Sequence, residues 1–213
     1  MSAVTTRLEL LGPTSPLSIC VFCGARPGAG PGPAEIAAEL GALIGQRGHN
    51  LVYGAGGVGL MREVARTAQA NGAHVTGVVP AFLYELERVR QAVAHDLVVT
   101  DDMFERKRRM IAKADAFIAL PGGYGTLDEV LEVVSLAYLG QCRKPLALVD
   151  VDGAWDSLLE LFGEVSRRGF TAPDVDGLYR VASCAADAID FVERRCLPVD
   201  RPALPARTAG AGR

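Results

Sequence analysis

Two stretches hold residue types suited to chemistry on a phosphate-bearing molecule. They are PGGYGTLDE at 121–129 and DDMFERKRRM at 101–110. The first packs three glycines into five residues straight after an apolar run and then turns acidic, where a plain turn needs one glycine, or two. Lacking side chains, Gly122, Gly123 and Gly125 let backbone N–H groups approach an anion, and a helix starting just beyond them adds positive potential. Thr126 is placed to cap that helix and to offer its hydroxyl to a phosphate. The competing reading is purely structural: Thr126 to Glu129 is a capping box, with Thr at the cap and Glu three residues on.

In the second stretch Arg106, Lys107, Arg108 and Arg109, with Lys113 beyond them, crowd one predicted helix. Most of these cations should form a solvated basic face, because one helix of this length cannot aim all five at a single site. Arg106 lies about one turn from the helix start, as Glu129 does in its own helix. Both would then reach a phosphoribosyl group held at the strand ends.

Positioning such groups is the work of a sheet. Short apolar runs at 17–23, 50–54, 74–80, 96–100, 115–120, 145–150 and 179–182 alternate with helical patterns at 34–47, 58–70, 103–113, 126–139, 155–167 and 185–195. Near-continuous apolar strands separated by helices predict an α/β fold: a doubly wound, Rossmann-like parallel sheet of about seven strands with helices on both faces. In such a sheet every strand-to-helix loop leaves at the same edge, where ligands bind. Three of these loops are glycine-rich: CGARPGAGPG (23–32), YGAGGVGLM (53–61) and PGGYGTLDE. They add Gly24, Gly54, Gly56, Gly57, Gly59 and Met61 to the predicted crevice. Gly54, Gly56 and Gly59 satisfy GxGxxG, but the next strand ends in Val79 and Pro80, with no acid to hold a ribose. The Walker pattern GxxxxGK[ST] is absent as well.

The 213 residues suit one domain, expected over 17–197, with a poorly ordered extension at 1–16 and a Pro/Ala/Gly-rich tail at 198–213. A formal net charge of −3 and the lack of a basic stripe with interleaved aromatics argue against nucleic acid as a partner. No apolar run approaches the ~20 residues of a membrane span. The N-terminus has no secretory pattern, so the cytoplasm is the expected location. Of the five cysteines, Cys20 and Cys23 form a CxxC. Strand alternation puts them on opposite faces, and no second pair completes a metal site, so they are read as structural.

Taken together and in order, VFCGARPG, YGAGGVGLM, MFERK and PGGYGTLDE resemble the Lonely guy family of cytokinin-activating enzymes across residues 17 to 195. The family's PGGxGTxxE is met in full at Pro121 to Glu129, with an Arg-Lys pair at Arg106 and Lys107. The resemblance implies hydrolysis of the N-glycosidic bond of nucleoside 5′-monophosphates, preferably N6-prenylated AMP and also AMP, without cofactor or metal. It implies Arg106 and Glu129 as the catalytic pair. Gly122, Gly123, Gly125 and Thr126 would hold the phosphate, with Tyr124 in the same loop. Lys107, Glu87 and Ser135 match further substrate-contacting positions. A homodimer is implied too, in keeping with a helix 126–139 that is apolar on more than one face. The lysine decarboxylase label that such sequences have carried finds no support in these residues.

Breaking this bond builds positive charge on the ribose, so a carboxylate beside the anomeric carbon lowers the barrier. Glu129, near a helix N-terminus, is expected to stay ionised, with Arg106 positioning it rather than donating a proton. Ala25, Arg62 and Phe104 depart from the commonest family residues at their positions, which bears on base specificity. Two alternatives remain. One is a non-catalytic carrier of a phosphorylated nucleotide or pterin cofactor. The other is a general purine nucleotide nucleosidase of salvage.

Overall fold

Strands buried on both faces need apolar residues at consecutive positions, and those runs become the strands of the sheet. The computed structural model describes residues 15–86, 93–171 and 177–196. Its strands are β1 (Ser18–Phe22), β2 (Asn50–Tyr53), β3 (Val75–Pro80), β4 (Asp96–Thr100), β5 (Ala116–Ala119), β6 (Leu146–Val149) and β7 (Arg180–Ala182). All seven are parallel, in the order β4-β3-β2-β1-β5-β6-β7. The helices are α1 (Gly32–Gln46), α2 (Gly59–Ala70), α3 (Ala81–Leu86), α4 (Met103–Lys113), α5 (Tyr124–Tyr138), α6 (Asp156–Arg167) and α7 (Ala185–Cys196).

Strand alternation splits the core into two layers. Ile19, Val21 and Cys23 pack with residues of α1, α2 and α7 on one face, while Cys20 and Phe22 pack with α4, α5 and α6 on the other. The CxxC therefore straddles the sheet, as expected. All five cysteines are free thiols.

Three elements differ from expectation. The run 96–100 reads as a buried strand, yet β4 is the sheet edge, where Leu97 and Val99 are exposed. Helix α3 was not expected, because its six residues are too few for a 3.6-residue period to be legible. Helix α5 begins at Tyr124, two residues earlier than predicted, with Gly123 as its N-cap and no capping side chain. Thr126 is thus the third residue inside the helix, and neither the Thr126 cap nor the capping box with Glu129 forms. Of the predicted end segments 1–16 and 198–213, all but residues 15 and 16 lie outside the described residues.

The chain winds outward from β1 to β4, then crosses back to place β5 on the other side of β1. This reversal is the topological switch point, where loops diverge and open a crevice. The loops on either side remain tied at their roots: Leu120 N–H donates to Phe22 O (2.9 Å) and Gly24 N–H to Pro121 O (3.2 Å). Leu60 and Met61 N–H both donate to Gly24 O, at 3.1 and 3.3 Å, and bring the second glycine loop into the same cluster.

Candidate active site

The crevice is a cavity of about 620 Å³ at the β1/β5 switch point. Its walls include Gly24, Gly54, Met61, Arg106, Glu129 and the turn Pro121 to Thr126 apart from Tyr124. All three glycine loops therefore reach one cavity, as the sequence predicts.

The α5 terminus supplies the anion-binding chemistry. The first amides of any helix have no intrahelical acceptor, and no side chain caps α5. A Cβ on Gly122 would collide with Thr126 Oγ1 and stand 2.9 Å from Gly24 N, so glycine is needed there for packing. A Cβ on Gly123 or Gly125 would meet nothing within 4 Å. At those two positions the bare backbone leaves room for a group from outside the chain. Thr126, buried, lines the same wall.

Arg106 and Glu129 meet deeper in the cavity. Helix α4 enters from Asp102, whose carboxylate accepts the Glu105 N–H (2.7 Å) and fixes the helix start. One turn on, Arg106 is turned inward with only 7% of its surface exposed. Its Nε donates to Val78 O (3.1 Å), Nη1 to Glu129 Oε1 (2.8 Å) and Nη2 to Gly54 O (3.5 Å). Three acceptors from three elements fix the guanidinium plane. A Cβ on Gly54 would collide with Nη2, so that glycine makes the arrangement possible. Glu129 is 6% exposed. Burial pushes its carboxyl above the usual range, and the charge and hydrogen bond of Arg106 pull it part of the way back. The expected benefit of the helix terminus is small, because Glu129 is the sixth residue of α5, beyond the turn where that potential acts.

Of the five clustered cations only Arg106 reaches the cavity. Lys107 turns to α5 and donates to Asp128 Oδ1 (3.0 Å) and Glu132 Oε2 (2.7 Å). Arg108 and Arg109 both pair with Glu105 on their own helix. Ser135 and Tyr124 are exposed on α5 away from the lining, Tyr124 by 93%. Gly56, Gly57 and Gly59 shape the second loop without lining the cavity. Gly59, at φ +62°, lets α2 start against the backbone of Ala25 and Arg26. Glu87 lies outside the described residues.

Sequence reasoning missed Arg26 and the Val151–Asp152 turn, which also line the cavity. The turn follows β6, so the rule that selected three strand-end loops applied to a fourth. It was passed over because VDVDGAW holds a single glycine.

A parallel, doubly wound sheet with its cavity at the switch point defines a Rossmann-like α/β protein. The family model described as "Possible lysine decarboxylase" matches residues 61–192. A cytokinin riboside 5′-monophosphate phosphoribohydrolase of Arabidopsis thaliana is 46% identical over 155 residues, 73% of this chain and 71% of that one. Another, from Oryza sativa subsp. japonica, is 42% identical over 171 residues, 80% and 70% of the two chains. The chain belongs to this family, the LOG family. Among solved structures, the molybdenum cofactor binding protein of Rippkaea orientalis superposes with a TM-score of 0.63 at 24% identity, over 85% of this chain and 98% of that one. The Moco carrier protein of Chlamydomonas reinhardtii gives 0.63 at 22%, with the same coverage. These two likenesses establish the fold.

Proposed function

We propose that the chain hydrolyses the N-glycosidic bond of nucleoside 5′-monophosphates, releasing the free base and ribose 5-phosphate. N6-prenylated AMP is the preferred substrate and AMP is also taken. The observation that carries this reading is the buried Arg106–Glu129 pair set into a cavity whose wall is the uncapped start of α5. Relatives bearing the phosphoribohydrolase name at 42–46% identity support it.

The 5′-phosphate lies on the first amides of α5, with Gly122, Gly123, Gly125 and the Thr126 hydroxyl around it. Glu129, further along the same helix, faces C1′. As the bond from C1′ to the base nitrogen breaks, the electron pair leaves with the base, and the carboxylate stabilises the positive charge on the sugar. Water adds to C1′, one of its protons passing through Glu129 and the base leaving protonated. Arg106, bonded to one Glu129 oxygen, holds the carboxylate in place and does not transfer a proton.

The catalytic unit spans residues 17–197 and works as a homodimer in the cytoplasm. The dimer is supported by an exposed stripe at helical spacing on α5, Tyr124, Asp128, Leu131, Ser135 and Tyr138, beside exposed Phe104 on α4. Lys107 joins the two helices beneath that stripe. A neighbour's residues near the substrate are what the family resemblance implies for such a dimer. Five free thiols suit a reducing compartment, and no helix among the described residues is long and apolar enough to cross a membrane.

The test is base release from isopentenyladenosine monophosphate, AMP and the unphosphorylated nucleoside, with wild type and Glu129→Ala. Release from a monophosphate, lost in the variant and absent with the nucleoside, is expected. A folded wild type that binds these nucleotides but releases no base would point to a carrier instead.

A further inference from the structure

We infer that Asp152 is the residue that restricts this site to nucleotides with a single phosphate. The inference rests on the hydrolase reading above and adds the residue that sets one side of its specificity.

Asp152 occupies the turn after β6 and lines the cavity with Val151 and Ala154. It is one of two described non-glycine residues with a left-handed backbone, at φ +53°, and Gly153 follows at +72°. No hydrogen bond or ion pair engages its carboxylate among the described residues. It does not cap α1 either: that helix starts after Pro31 with no capping side chain. Its Oδ2 nevertheless stands 3.7 Å from where a Cβ on Gly32 would lie, which fixes its place at the edge of the first loop. The cavity's other carboxylate, Glu129, is neutralised by Arg106, which leaves Asp152 as the lone unpaired acid among the described lining residues.

Strand order says which part of a ligand meets this carboxylate. Across the sheet run β3, β2, β1, β5 and β6. Arg106 is anchored on Val78 and Gly54, at β3 and the end of β2, so the sugar and base belong on that side. The phosphate-binding turn follows β5. Asp152 follows β6, one strand further on, and parallel strands are spaced about 4.8 Å. The order is therefore base and sugar, then phosphate, then an unpaired negative charge. A second phosphate has to extend past the α5 terminus toward Asp152. There two like charges would oppose each other, the repulsion weakened by solvent at exposed Asp152 and by Arg26, which lines the same cavity. The α5 amides attract the first phosphate, and Asp152 repels the second.

The experiment measures binding and base release for AMP and ADP in EDTA, for wild type, Asp152→Asn and Asp152→Gly. Asparagine keeps the shape, and both replacements tolerate the left-handed backbone. Wild type is expected to favour AMP. Both variants should raise the ADP-to-AMP ratio of kcat/KM, and the same ratio of affinities, by on the order of tenfold. An unchanged ratio overturns the inference. So does a parallel loss of AMP and ADP binding, which would assign Asp152 to the sugar. If wild type releases no base from any monophosphate, the hydrolase reading fails, and the affinity ratio still decides the role of Asp152.

Discussion

Arg106 Nη1 donates to Glu129 Oε1 at 2.8 Å across two helices, with both side chains over nine-tenths buried. Sequence separates them by 23 positions, and the crossover through β5 brings them together. Arg106 also holds β3 and the loop after β2 through their carbonyls, so its loss has structural as well as chemical consequences. Arg106→Ala leaves a buried carboxylate without a counter-ion, which costs ~3–5 kcal/mol in systems of this kind. Denaturant unfolding should register a loss of that order, and turnover should fall by at least about a hundredfold. Normal turnover in a stable variant would remove Arg106 from the mechanism.

The pH behaviour of Glu129 follows from its burial. A carboxyl raised above its usual value of 4.5 holds its proton more tightly in the folded protein than in the unfolded chain. Its contribution to stability therefore declines as pH rises from about 4.5 through the folded pKa. Because the ionised form is the working one, activity should be lost on acidification at a higher pH than an ordinary glutamate would set. A carbon NMR titration of the carboxylates, with Glu129→Gln to identify the resonance, checks both statements. A Glu129 midpoint below 4.5 would contradict them.

Gly54 touches no reacting atom in the proposed chemistry, yet its missing side chain is what admits Arg106 Nη2. Gly54→Ala should displace the guanidinium and with it the Glu129 carboxylate. The expected result is a fall in kcat of about tenfold or more, with a smaller change in KM, since the phosphate wall is untouched. Unchanged kcat would mean that the pair tolerates movement.

The exposed stripe on α5 gives a separate prediction. Leu131 is 44% exposed in the middle of it. Leu131→Arg puts a charge where two copies would meet, and light scattering should then show a monomer in place of a dimer. If the neighbour completes the site, kcat/KM falls with the dimer. A wild-type monomer at assay concentration rules out this assembly.

Much of this could be read in the sequence, for identifiable physical reasons. The strands were legible because burial on both faces demands unbroken apolar runs, and β4 misled because an edge strand can carry the same run. Arg106 and Glu129 were legible as a pair because each follows a strand of the same parallel sheet at the same edge. The start of α5 was misplaced because Thr-x-x-Glu matches a capping box, whereas the bare Gly123 is the actual cap. Lys107 is placed at the substrate by the family resemblance alone. Adjacent helix positions diverge by about 100°, however, and the structure turns it onto Asp128 and Glu132. Asp152 went unseen because a lone acid in a turn has no pattern of its own.

Gly125 separates ligand binding from stability most cleanly. It is the second residue of α5, and a Cβ there would meet no protein atom within 4 Å. For the fold alone, alanine is the better residue, since glycine inside a helix costs about 0.5–1 kcal/mol relative to alanine. Gly125→Ala should therefore raise the melting temperature slightly. If the open space is where the phosphate rests, the added methyl group occupies it, and KM for a nucleoside monophosphate should rise by at least about tenfold. A more stable protein with poorer substrate binding is the expected outcome, read by thermal unfolding and initial rates on the same preparation. An unchanged KM would move the phosphate away from the α5 terminus, and the assignment of Gly122, Gly123 and Thr126 would have to move with it.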